Sequence, residues 1–217
     1  MNEQSGPQNP LVLSYLAMRK AVGIIGIALP SVLAVGKILL QGPGIQSSIS
    51  GYYYTDMRTV FEGSICALGV FLLCTIGYDR QDEIAGRLAS AFVIGVALLP
   101  TTPDAYATSR DKFIGGVHLS FAALFYLTLA YFSIALFTKT APENRPTPQK
   151  LQRNIVYRVS GYTILACLLL IGIVKLPLVA DHLERFSPVF WLESVATMSF
   201  GVSWLTKGET ILKDKQL

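Results

Sequence analysis

Charge is scarce in this chain. Asp, Glu, Lys and Arg make up 15% of the 217 residues, where a soluble domain carries about 25%. Histidine is scarcer still, with His118 and His182 the only two. A metal site draws three or four ligands from His, Cys and carboxylates, so two histidines with no HxxxH spacing exclude a three-histidine zinc hydrolase. A bis-histidine haem would need both rings at one face. The three cysteines form no CxxC. Cys66 and Cys74 lie on one predicted helix about 12 Å apart, too far to bridge, and with Cys167 they read as small packing residues. No phosphate-binding loop, Rossmann fingerprint or GxSxG occurs. Period-two alternation is missing as well, which argues against a membrane β-barrel. No metal and no cofactor are expected.

What fills the chain is apolar sequence. Hydrophobic residues reach 52% and mean hydropathy is +0.47. A helix needs about 20 mostly apolar residues to cross the hydrocarbon core. Six stretches answer to this, near 21–40, 59–78, 85–100, 114–138, 156–176 and 188–206. The fold class expected is all-α: one polytopic membrane bundle of six transmembrane helices over residues 1–217. The third span is short, because Asp82, Glu83 and Arg87 crowd its start. Residues 11–17 read as a separate interfacial helix. Arg19 and Lys20 before an apolar run resemble a signal-peptide n-region, but the run is long, contains Pro30 and lacks a small-x-small site. The segment 139–154, rich in Pro and charge, reads as a flexible connector.

Loop charge predicts orientation. Twelve of the eighteen Lys and Arg residues fall on one side: Arg19, Lys20, Arg80, Arg87, Lys139, Arg145, Lys150, Arg153, Arg158, Lys207, Lys213 and Lys215. The other side holds Arg58, Arg110, Lys112, Lys175 and Arg185, while Lys37 and Lys175 can snorkel from span ends. Both termini are therefore expected in the cytoplasm. The net charge of +4 follows from topology and calls for no nucleic-acid partner.

Unusual polar residues gather at the predicted outer face. Arg58 and Glu62 are four apart and can pair on one helix face, either as a structural ion pair or as a pocket wall, and Thr55 or Asp56 can cap that helix. His118 is the only histidine within a span. It is set among Gly115, Gly116, Ser120, Ala122 and Ala123, and either hydrogen-bonds across helices or meets a polar ligand. Glu193 shares a helical stripe with Thr197, Phe200, Gly201 and Trp204 and must find a partner inside the bundle, Arg58 being one option. Asp104, in LPTTPD, lies where a hairpin could bring it beside His118. Tyr52, Tyr53 and Tyr54 suit the headgroup level.

The segment SSISGYYYTDMR, Phe61 and Gly63, LPTTPD, and His118 with Ala122, Phe125 and Tyr126 together resemble a group of six-span bacterial membrane proteins related to the Frag, DRAM and Sfk group. The resemblance covers residues 50–138; Asp56 stands where the group carries an asparagine. It implies six helices in a bacterial cytoplasmic membrane with both ends on the cytoplasmic side, a link to lipid handling, and His118 and Asp104 as a recurrent polar pair.

The function expected is headgroup binding: an integral membrane protein whose outward-facing polar pocket, walled by spans two, four and six, takes a lipid or amphiphile. Tyr53, Asp56, Arg58, Glu62, Asp104, His118 and Glu193 are the candidate ligand-binding residues. Membrane lipids are the expected partners, with a possible homo-oligomer. Two other readings stand beside it. A lipid-modifying enzyme would use His118 as acid and base, with Asp104 or Glu62 orienting it. A small proton-coupled transporter would need a continuous polar path, which the apolar cytoplasmic halves of the helices oppose.

Overall fold

The computed structural model describes residues 10–75, 79–140, 146–176, 178–179 and 183–212. His182, Arg145, Lys213 and Lys215, which enter the arguments above, lie outside them. Among the described residues the protein is all helical, with no strand. Six main helices follow one another: α1 (Pro10–Gln41), α2 (Arg58–Leu73), α3 (Arg80–Leu98), α4 (Ser109–Tyr131), α5 (Pro148–Val174) and α6 (Pro188–Lys207). Three segments are long and apolar enough to cross a membrane: Tyr15–Gln41, Ser109–Leu136 and Pro148–Val174.

Each helix packs against its neighbour in sequence, and α6 closes back onto α1, so the six form a ring. One end carries the loop after α1, the α3–α4 turn and the start of α6; we call it the loop-rich end. The other gathers Arg19, Lys139, Lys150, Arg153 and Lys207 and is the basic end. The seam between α1 and α6 is tight because glycines meet there: a Cβ on Gly201 would fall 2.7 Å from the Gly23 carbonyl oxygen. Two hydroxyl pairs tie the α4 side to α6, Tyr126–Thr197 at 2.7 Å and Ser133–Ser203 at 2.9 Å. Inside the basic half a column of rings fills the centre. Phe137 lies 5.3 Å from Trp204 and 5.4 Å from Tyr157, and Phe132 lies 5.8 Å from Trp204, centroid to centroid. All four are buried. Large apolar side chains point outward on every helix, among them Ile24, Val70, Leu88, Leu127, Leu169 and Val195.

Helix ends depart from the expected spans for local reasons. α1 runs unbroken from Pro10, so residues 11–17 form no separate helix; nothing between Leu11 and Ala21 breaks the pattern. α3 begins at Arg80, five residues before the span at 85–100. The Asp79 carboxylate caps it by accepting from the backbone N–H groups of Gln81 and Asp82, and acidic residues in a first turn favour the positive end of the helix dipole. The crowding charges therefore start the helix instead of shortening it. α4 opens with a reciprocal capping box, in which Thr108 Oγ1 accepts from the Asp111 N–H and Asp111 Oδ2 accepts from the Thr108 N–H. It ends in a π-helical turn, Phe132–Leu136. The second half of the supposed flexible connector is the first two turns of α5: Thr147 caps it, Pro148 opens it, and Arg153 is buried, donating to the Leu212 carbonyl.

Candidate functional site

The polar loop after α1 is folded onto the end of the ring. Residues Ser50–Tyr54 form a 3-10 turn whose Tyr52 side chain is fully buried against Phe190. Backbone groups fasten the loop to α6. The Ile49 N–H donates to Glu193 Oε2 at 2.6 Å, and the Phe190 N–H donates to the Ser47 carbonyl at 2.9 Å. Two side chains fasten it to the α3–α4 turn. The Tyr54 hydroxyl donates to the Thr101 carbonyl at 2.6 Å, and the Ser47 hydroxyl donates to both Asp104 oxygens at 3.0 and 3.1 Å. The turn is seated on α4 through Gly115, where a Cβ would come within 2.6 Å of the Thr102 backbone nitrogen.

These contacts frame a cavity of about 840 Å³ at the loop-rich end. Gln46, Ser47, Ser48 and Tyr54 line it from the loop, and Thr101 to Ala105 from the turn. Lys112 and Gly116 reach it from the first turns of α4, Lys175 from the end of α5, and Ser187 and Val189 from the start of α6. Its wall is mixed: hydroxyl and amide groups stand beside apolar surface from Leu119, Val174, Pro188 and Val189, with three charges, the Asp104 carboxylate and the Lys112 and Lys175 ammonium groups. The Tyr54 phenol is pushed above its ordinary value by burial and by neighbouring Tyr53, so it enters the cavity wall as a neutral group. Among the described residues, no group of three His, Cys, Asp or Glu side chains gathers as a metal site. The arrangement can hold a polar, charged group by hydrogen bonds and ion pairs.

Of the seven expected ligand-binding residues, only Asp104 lines this cavity. The other six, Tyr53, Asp56, Arg58, Glu62, His118 and Glu193, are elsewhere. Arg58, Glu62 and Tyr53 do come together, but on the outer flank of α2. The Arg58 Nε donates to Glu62 Oε1 at 2.8 Å, its Nη2 bonds the Tyr53 hydroxyl at 2.6 Å, and the guanidinium stacks on the Tyr53 ring. Arg58 is half exposed, so the group is an ion pair at the rim and not a pocket wall. Asp56 is exposed and outside the cavity lining. Its neighbour Thr55 serves the turn, donating to the Tyr52 carbonyl and accepting from the Met57 N–H.

Glu193 does not meet Arg58; it serves as the acceptor that holds Ile49. His118 and Asp104 are not a pair either. Asp104 is held by Ser47, while His118 Nδ1 donates to the Leu99 carbonyl at 2.7 Å and the ring is buried, 3% exposed. The hairpin brings a helix-end carbonyl to the imidazole before the carboxylate can reach it. A helix C-terminus has unsatisfied carbonyls to offer, which explains the choice.

Lys112 and Lys175 were missed as site residues because each has an ordinary explanation, loop charge for one and snorkelling for the other. Position was the available signal: both lysines fall at the ends of helices, beside the polar loops.

Comparison of the chain with protein-family models, with curated proteins and with solved structures finds no match. Sequence, fold and cavity define an all-helical protein with three helices apolar and long enough for a membrane.

Proposed function

We propose that this chain is an integral membrane protein of six spans, with both termini in the cytoplasm of a bacterial cell, and that its loop-rich cavity binds the headgroup of a lipid or amphiphile from the outer side. The observation that carries this reading is the cavity itself: about 840 Å³, lined by both polar and apolar groups with two ammonium groups and a carboxylate among them, opening at the end of a ring whose flanks are apolar. Outward-facing apolar side chains on all six helices support lipid contact around the whole ring. α2, α3 and α6 lie alongside the three long apolar segments and share their surroundings. The collection of basic side chains at the opposite end supports the orientation.

The closed basic half favours binding over passage. Phe132, Phe137, Tyr157 and Trp204 fill the centre, which opposes a polar path between the faces. The burial of His118 away from the cavity lining takes from the enzyme reading the acid and base it assigned.

Native mass spectrometry of gently extracted protein tests the proposal. Wild type should retain lipid, and the double variant Lys112→Gln/Lys175→Gln should lose most of it, while Arg58→Ala retains it. Wild type that carries no lipid in any mild detergent would overturn the reading.

A further inference from the structure

The charge set of the cavity says more than that it is polar. Lys112 and Lys175 supply two cations from α4 and α5, and Asp104 supplies one anion from the α3–α4 turn. A purely anionic ligand would suit the lysines, but it would gain nothing from the carboxylate and would be repelled by it. A purely cationic ligand faces the converse problem. Asp104 is exposed at the cavity wall, and the single Ser47 O–H, shared between its two oxygens, orients the carboxylate and leaves lone pairs for a further donor. Ser47 is itself held, because its carbonyl accepts from the Phe190 N–H. One residue of the loop, anchored to α6, thus orients a single carboxylate at the cavity wall.

Resting on the headgroup reading above, we infer that the cavity selects an aminoalkyl phosphodiester, a phosphate carrying a primary ammonium a few bonds away. The phosphate meets Lys112 and Lys175, and the ammonium donates to Asp104. A compact ammonium with N–H donors satisfies the carboxylate by charge-assisted hydrogen bonds. A trimethylated one keeps the charge and loses the donors. Ser48, Gln46 and Thr102 stand nearby with groups that can bond the remaining phosphate and ester oxygens. The same chemistry is offered by a membrane phospholipid headgroup and by a water-soluble glycerophosphate ester.

The test is a binding panel on the full-length protein in detergent. It compares phosphatidylethanolamine, phosphatidylcholine and phosphatidylglycerol of identical acyl chains with soluble glycerophosphoethanolamine. Wild type should prefer the ethanolamine lipid by about tenfold over each of the other two, the scale of one charge-assisted hydrogen bond. Asp104→Asn, which keeps an oxygen for Ser47, should erase that preference and leave binding of the glycerol lipid intact. Competition by glycerophosphoethanolamine at concentrations matching the lipid would identify a soluble ester as the source. Competition only at far higher concentrations would identify the lipid. Equal binding of all three lipids by wild type overturns the headgroup assignment and leaves the lipid reading standing, whereas binding of none of them overturns that reading as well. The wild-type panel decides the matter even if the variant does not fold.

Discussion

The two ends of the ring use charge in opposite ways. At the loop-rich end, Asp104, Lys112 and Lys175 face a cavity, and the polar contacts around them are made by backbone and hydroxyl groups. At the basic end, charges are spent on closing the structure. Lys139 bonds Asp79 at 2.8 Å and Asp82 at 3.3 Å, Lys150 donates to the Phe137 carbonyl, and Arg19 reaches the Lys207 carbonyl. Cations at carbonyl-rich helix ends are favourable in themselves, and above them the aromatic column leaves no room. More charge therefore does not mark the more functional end. What matters is whether the charges are already satisfied by the protein, and this points to the end with fewer of them.

If the ends are independent, damage to the sealed half should leave the cavity working. Trp204→Ala should have the largest effect. The ring is buried among Phe132, Phe137 and Phe200, and truncating such a side chain costs about 3 kcal/mol. Thermal unfolding in detergent should show this loss, while lipid binding below the transition persists. Binding lost in step with stability would mean that the cavity depends on the aromatic column, and the contrast would fail.

The loop-rich end should respond to smaller changes in a local way. Glu193→Ala removes the acceptor of the Ile49 N–H and should cost about 1–3 kcal/mol. Hydrogen exchange would show the effect as faster exchange confined to residues 46–54, and Glu193→Gln, which retains an oxygen, should recover most of the protection. Gly115 and Gly116 sharpen the point, since adjacent glycines should differ in sign. Alanine at 115 meets Thr102 and should destabilise by about 1–3 kcal/mol through overpacking. Alanine at 116 meets nothing and should stabilise α4 by up to about 1 kcal/mol. Equal effects at the two positions would show that the turn is not seated on Gly115.

Hydropathy made the helices legible, and side-chain chemistry made the polar end legible, but the partners were not. Arg58–Glu62 could be read because both residues sit on one helix at a fixed spacing. Glu193–Ile49 could not, because the acceptor serves a backbone N–H 144 positions away that carries no residue-type signal. Of the two readings of His118 the structure shows the hydrogen bond across helices, but its partner could not be named for the same reason: it is the Leu99 carbonyl, and every residue has a carbonyl. Closure of the ring by α1 and α6 was equally silent, although Gly23, Gly26 and Gly201 mark the seam once its neighbours are known. Capping at Asp79 and Thr108 was available from spacing alone, as an acceptor immediately ahead of an apolar helix, and would have set the starts of α3 and α4 correctly.

The smallest expected effect concerns the sealed end and separates its two uses of Asp79. This carboxylate both caps α3 and pairs with Lys139. Asparagine caps as well as aspartate does, so Asp79→Asn isolates the charge. The hydrogen bond from Lys139, aided by the Asp82 and Gln81 backbone N–H groups, holds the Asp79 carboxyl below its ordinary value of 3.8. The unfolded chain then binds the proton more readily than the native one, and stability from this group rises with pH across that interval. It is fully present above 3.8 and is lost as pH falls through the depressed native value. Wild type should therefore exceed Asp79→Asn slightly in melting temperature at neutral pH, with the gap closing as the buffer is acidified below 3.8 and narrowing also in high salt, since the pair is exposed. A gap that persisted unchanged in acid would assign the whole contribution to the cap. Lys139 would then be incidental, and the basic end would be closed by its aromatic rings with the Lys150 and Arg19 contacts.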